Sequence, residues 1–260
     1  MQSKLTIALL QSNLIWHNAA KNRINFSKKI NSISETVDMI VLPEMFTTGF
    51  SMYPQQIAET MEGKTVKWMQ QLASKKQSAI TGSIVIHKNN NYYNRFLFVQ
   101  PSGEINYYDK RHLFTLAGED KVYTSGTKKI SIEYKGWKIC PLICYDLRFP
   151  VWARNIEDYD ILMYVANWPK PRIEAWDTLL KARSIENMCY TIGVNRVGVD
   201  DNNLEYCGHS AVYNCLGEKL IDTIPNQENI VIVTLDKKSL KNTRSKLNFL
   251  ADSDSFKVYK

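Results

Sequence analysis

Apolar runs of strand length outnumber segments of helical periodicity by about two to one along this chain, and that imbalance restricts the fold more than any other feature. A purely parallel sheet needs a crossover segment, usually helical, between successive strands. With too few helices for that, the chain is expected to form two mixed sheets with helices packed outside them, an α/β architecture. Strand character falls at Leu5 to Gln11, Asp38 to Leu42, Asp160 to Asn167, Tyr190 to Val197, Gly208 to Tyr213 and Ile230 to Leu235. Two hairpins are expected between Ala79 and Tyr108, turning at Lys88-Asn-Asn-Asn91 and at Pro101-Ser-Gly103, with a further turn at Asn214-Cys-Leu-Gly217. Helical spacing marks Asn18 to Ser34, Val66 to Lys76 and Glu174 to Met188, and a short helix is expected over Val151 to Ile156. No repeat, low-complexity stretch or Pro/Gly/Ser linker divides the sequence, so residues 1–260 are expected to form one domain.

Three of these runs end on a reactive side chain. Glu44 follows Met39-Ile-Val-Leu-Pro43, Lys110 follows Ile105-Asn-Tyr-Tyr-Asp109, and Cys144 ends the run Ile139 to Ile143. A thiol on a sharp strand-to-loop turn points outward, where a substrate carbonyl reaches it. A free thiol titrates near about pH 8.5, so a nucleophilic cysteine calls for a cation to favour its thiolate and a base to take its proton. Lys110 is the candidate cation and Glu44 the candidate base. The ammonium and the backbone N–H of Tyr145 would face the oxygen that becomes negative on attack, and losing one such donor typically costs about 2.7–4 kcal/mol of transition-state stabilisation.

At these residues the chain resembles the nitrilase superfamily of carbon-nitrogen hydrolases, whose signature is a Glu-Lys-Cys triad in that chain order. The matching segments are Leu42-Pro43-Glu44-Met45-Phe46, Tyr108-Asp109-Lys110-Arg111-His112-Leu113-Phe114 and Leu142-Ile143-Cys144-Tyr145-Asp146-Leu147-Arg148-Phe149-Pro150. The stretch Phe46-Thr-Thr-Gly-Phe-Ser-Met52 and the segments after Lys110 and Cys144 look most like the bacterial omega-amidase branch, which hydrolyses the terminal amide of 2-oxo acids derived from glutamine or asparagine. The resemblance runs from Leu5 to near Phe256 and implies a four-layer α-β-β-α sandwich. It also implies catalysis through a thioester without a cofactor, and a small amide such as 2-oxoglutaramate or 2-oxosuccinamate as substrate. Relatives with the same triad cleave carbamoyl amino acids, nitriles or other amides; an acyltransferase or a non-catalytic binding protein of the same fold is the alternative outcome. Glu119 is carried over from the family's second glutamate, which bonds the lysine or orients substrate. A homodimer is expected from the same resemblance, with the tail from about residue 237 to 260 running onto the partner.

The remaining candidates are weaker. Trp168, in Ala166-Asn-Trp-Pro169, is a candidate wall of the pocket, and Arg172 and Lys170 in the same loop are candidate partners for a substrate carboxylate. Asp146 and Arg148 are expected to tie down the turn after Cys144 by a local salt bridge. The other cysteines, Cys140, Cys189, Cys207 and Cys215, read as core packing, and five cysteines without a CxxC pair suit a reducing, cytoplasmic compartment. Four scattered histidines with no HxxxH pair disfavour a zinc site or a Cys-His mechanism, and no metal is expected. The net charge of +7 invites a nucleic-acid reading, but the basic residues are interleaved with 26 acidic ones rather than gathered on a stripe. The densest basic stretch, Lys237 to Lys246, reads as a solvated segment. No apolar run approaches the roughly 20 residues of a membrane helix, so neither nucleic acid nor membrane is expected as a partner.

Overall fold

The computed structural model describes residues 3–258. The first two residues of the expected domain and the last two of the expected tail lie outside the described residues. In chain order the elements are β1 (Lys4–Gln11), α1 (Ala19–Asn31), β2 (Met39–Val41), α2 (Pro54–Ile57), α3 (Lys64–Lys76), β3 (Ala79–Lys88), β4 (Asn91–Val99) and β5 (Ile105–Asp109). After two 3-10 turns come β6 (Ile132–Tyr134), β7 (Trp137–Ile143), α4 (Pro150–Ala153), β8 (Ile161–Ala166), α5 (Ile173–Glu186) and β9 (Tyr190–Asn195). The chain continues through β10 (Val197–Val199), β11 (Glu205–Cys207), β12 (Ala211–Tyr213), β13 (Lys219–Ile221), β14 (Asn229–Asp236) and α6 (Lys237–Leu247).

Two six-stranded mixed sheets result, ordered β14-β1-β2-β3-β4-β5 and β13-β12-β9-β8-β7-β6. Side chains on β1 alternate between two cores because successive residues of a strand face opposite sides. Leu5, Ile7 and Leu9 join the core between the sheets, where they meet Ile139, Met163 and Val194 of the second sheet. Ala8 and Leu10 face the other way, into a second core with Phe26 and Ile30 of α1 and Met69 of α3. Burying a side chain of this size stabilises the fold by about 1.5–3 kcal/mol relative to leaving it in water. On the far side, α5 lays Trp176 and Leu180 against β9 at Gly193, where an added Cβ would meet Leu180 Cδ1 at 2.4 Å. The layers are therefore helix, sheet, sheet, helix, the four-layer α-β-β-α sandwich expected from the resemblance.

Differences from the expected elements have local causes. The strand expected from Gly208 begins only at Ala211, because Gly208 and His209 both take left-handed backbone angles (φ 82° and 60°). The segment Lys237 to Lys246 is largely exposed, as expected, but it forms the helix α6; Asp236 caps it by accepting from Lys238 N and Ser239 N at 2.8 and 3.2 Å. Its one buried residue is Leu240, too sparse a stripe to show as helical periodicity. The short strands β6, β11 and β13 carry three residues each and fall below the length at which alternation is visible.

Candidate active site

Chemistry gathers at the carboxyl ends of the central parallel strands, where open α/β sheets generally bind ligands. Cys144 follows β7 with φ 45°, a left-handed angle that a residue with a Cβ adopts at a cost of roughly 1–3 kcal/mol. Asp146 holds this elbow in place. Its buried carboxylate accepts from Ile143 N at 3.0 Å, Tyr108 Oη at 2.8 Å and His112 N at 3.0 Å, and it pairs with His112 Nδ1 at 2.8 Å. The expected Asp146–Arg148 salt bridge is thus corrected: Asp146 points inward to tie the elbow to the end of β5, while the Arg148 guanidinium lies 5.0 Å over the Trp168 ring.

Lys110 is buried just after β5 between two carboxylates. Its Nζ lies 3.1 Å from Glu44 Oε1 and 2.9 Å from Glu119 Oε2, and both glutamates are fully buried. Each carboxylate has further donors, as a buried charge requires. Asn94 Nδ2 donates to Glu44 Oε1 at 2.7 Å, Asn167 N to Glu44 Oε2 at 2.8 Å, and Phe114 N to Glu119 Oε2 at 2.6 Å. Asn94 is itself set by Ser83 Oγ, which donates to its Oδ1 at 2.8 Å and accepts from Met45 N.

Burial alone would lower the Lys110 ammonium, but Glu119, Glu44 and Cys144 together outweigh it and hold it well above its ordinary value. Burial raises the Glu119 carboxyl; Lys110 opposes the shift and Glu44 adds to it. The Cys144 thiol is also pushed far up, first by burial and then by the charge of Glu44, with Lys110 opposing. Burial and Glu44 thus act against Lys110, the cation expected from the sequence to favour the thiolate.

Cys144 and Lys110 open onto a cavity of about 310 Å³. Its walls include the aromatic rings of Phe50, Phe114, Tyr145 and Trp168. Trp168 does two jobs, since it borders the cavity and packs 5.6 Å from Trp176 in the core. Arg172 borders the cavity as well, its guanidinium 5.2 Å over the Phe114 ring. Lys170 does not border it and instead pairs with Glu205 at 2.7 Å on the exposed side of the loop.

Sequence reasoning missed Asn94 and Asn167, and it gave Arg148 to a salt bridge where the residue borders the cavity. Asn167 carried the same signal that marked Glu44 and Cys144, a polar side chain directly after a buried run. Asn94 lies inside a strand, where only its polarity against Phe96-Leu-Phe-Val99 distinguishes it.

Residues 6–245 match the family model described as carbon-nitrogen hydrolase, and the chain belongs to that family. Within it the chain falls in the omega-amidase branch of the nitrilase superfamily. It is 42% identical to Omega-amidase YafV of Escherichia coli K12, over 98% of this chain and 99% of that protein. Identity to 2-oxoglutaramate amidase of Bacillus subtilis is 31%, over 96% and 97%. Among solved structures, XC1258 of Xanthomonas campestris, a CN-hydrolase superfamily protein with an arsenic adduct in its active site, superposes with a TM-score of 0.96 at 41% identity, covering 99% of this chain and all of that one. Nit3 of Saccharomyces cerevisiae shares the fold, with a TM-score of 0.86 at 22% identity over 96% of each chain.

Proposed function

We propose that this protein is an amidohydrolase that releases ammonia from the terminal amide of 2-oxoglutaramate, or of the shorter 2-oxosuccinamate, through a thioester on Cys144. The observation that carries the reading is the buried Glu44–Lys110–Glu119 cluster beside a cysteine on a strained elbow, opening on one small cavity. The substrate class draws on the relatives named omega-amidase and 2-oxoglutaramate amidase.

In this mechanism Glu44 takes the thiol proton as Sγ attacks the amide carbon, and the carbonyl oxygen gains charge against Lys110 Nζ and the N–H of Tyr145. Glu44 then gives that proton to the departing nitrogen, the C–N bond breaks, and ammonia leaves. Water next enters the same place, loses a proton to Glu44 and attacks the thioester carbon. The C–S bond breaks, and the thiol regains its proton. Two moderate barriers replace one high one. Glu119 keeps Lys110 charged and in place through both halves. At the other end of the substrate, Arg148 and Arg172 provide planar guanidinium groups for the 2-oxo acid carboxylate.

The reading extends to a single-domain cytoplasmic homodimer whose tail meets the partner subunit. Among the described residues no helix is long and apolar enough to cross a membrane. The test is ammonia release from 2-oxoglutaramate, with mass detection of an acyl adduct on Cys144. Turnover by the native protein and its loss in Cys144→Ala are expected. Inactivity on omega-amides alongside hydrolysis of nitriles or carbamoyl amino acids would overturn the substrate assignment.

A further inference from the structure

The hydrolysis proposed above does not use the side-chain oxygen of Asn167, a buried acceptor at the site. Asn167 directly follows β8, is 4% exposed and borders the cavity together with Cys144 and Lys110. Its Nδ2 lies 2.6 Å from the backbone oxygen of Glu44. A carbonyl oxygen only accepts, so the nitrogen must face Glu44 and the amide plane has a single orientation. Oδ1 is left buried, and it accepts no hydrogen bond among the described residues. The same residue donates its backbone N–H to Glu44 Oε2 at 2.8 Å. An acceptor is therefore held at two points against the carboxylate that handles the leaving group, and it lacks a donor.

A primary carboxamide brings that donor. With its carbon at Cys144 and its oxygen toward Lys110, its nitrogen lies toward Glu44 and carries two N–H groups. We infer that Asn167 is a specificity-determining residue: Oδ1 accepts one N–H of the substrate carboxamide, so the site selects primary amides over esters and nitriles. An ester sets an alkoxy oxygen, and a nitrile a bare nitrogen, against an acceptor. Neither supplies a hydrogen, and a buried acceptor left unmatched penalises the wrong substrate. This inference rests on amide hydrolysis at Cys144, but it concerns the choice among leaving groups rather than the reaction itself.

The experiment compares 2-oxoglutaramate with the omega-methyl ester of the same 2-oxo acid, because both pass through one thioester. In Asn167→Leu, of similar size and without the acceptor, the amide-to-ester ratio of kcat/KM is expected to fall about tenfold or more, the loss of one well-made hydrogen bond to substrate. Deacylation, followed as thioester decay after loading with the ester, reports on Glu44 in its role as base. It is expected to slow less than amide turnover. Equal slowing of deacylation, ester turnover and amide turnover would mean that Asn167 only positions Glu44, and an unchanged ratio would mean that Oδ1 does not meet the substrate; either result overturns the inference. Asn167→Ala, which also lacks the acceptor, carries the same comparison where the leucine variant does not fold, as judged by its unfolding transition. Failure of the native protein on amides of every kind would remove the hydrolase reading instead, which keeps the two failures apart.

Discussion

Glu44 is bound from three sides at once. Lys110 Nζ and Asn94 Nδ2 share its Oε1, the backbone N–H of Asn167 holds Oε2, and its charge acts on the Cys144 thiol. Each contact fixes where a proton is taken and where it is returned. Glu44→Gln keeps the volume and removes the charge, so it separates the two roles of the residue. Turnover is expected to fall by about 10²–10⁴, the usual contribution of a positioned acid-base group. Reactivity toward iodoacetamide is expected to move the opposite way. With the Glu44 charge gone, Lys110 faces one carboxylate fewer and the thiol titrates lower, so alkylation of Cys144 at pH 7.5 should be faster in the variant than in the native protein. Slower alkylation would show that Glu44 favours the resting thiolate, contrary to the balance of charges around it.

At the scale of elements, the elbow after β7 and the end of β5 are joined by a single carboxylate, Asp146. Glu44 and Cys144 were legible in the sequence because each follows a buried run, where a reactive group has few other reasons to be, whereas Lys110 ends a strand with only Tyr108 buried and was legible from the motif around it. The link among their supports was not legible. Nothing in Asp146-Leu-Arg148 announces that the acid turns toward Tyr108 and His112, residues 38 and 34 positions earlier in the chain, because a side chain's partner across the fold leaves no trace in local pattern. The long strands and amphipathic helices were read from period alone, whereas α6 and the three-residue strands lacked enough apolar positions to repeat. Asp146→Ala should strand the Tyr108 hydroxyl, the Ile143 N–H and the His112 N–H together. Leaving buried donors without a partner costs about 1–3 kcal/mol each, and the variant is expected to lose about 3 kcal/mol or more of stability in denaturant unfolding. A loss under about 1 kcal/mol would mean that the elbow is held by other contacts.

Across the whole molecule the two sheets repeat one plan. Read from β14 to β5, and from β6 to β13, the neighbouring strands pair antiparallel, parallel, parallel, antiparallel and antiparallel. Glu44 after β2 and Asn167 after β8 occupy corresponding places in the two halves, and they hydrogen-bond to each other across the junction. The site thus sits where two similar halves meet, and packing it there buries many titratable groups in the surrounding core. Burial drives Tyr108, Tyr159, Tyr164 and the thiols of Cys140 and Cys144 upward, and that of Cys189 to about 12. In the unfolded chain these thiols and phenols release protons at about 8.5 and 10, while the folded protein retains them. Lys110 adds to the effect, since it keeps its proton in the fold above the value near about 10.4 at which the unfolded chain loses it. The folded state therefore binds more protons than the unfolded state throughout the alkaline range, and stability must fall as pH rises. The contribution is fully present below about pH 8.5 and is lost progressively above it. Thermal unfolding followed by circular dichroism from pH 7 to 11 should give a midpoint that holds to about pH 8.5 and then declines continuously; a midpoint that stays level or rises between pH 9 and 11 would contradict the burial of these groups in their neutral, or for Lys110 charged, forms.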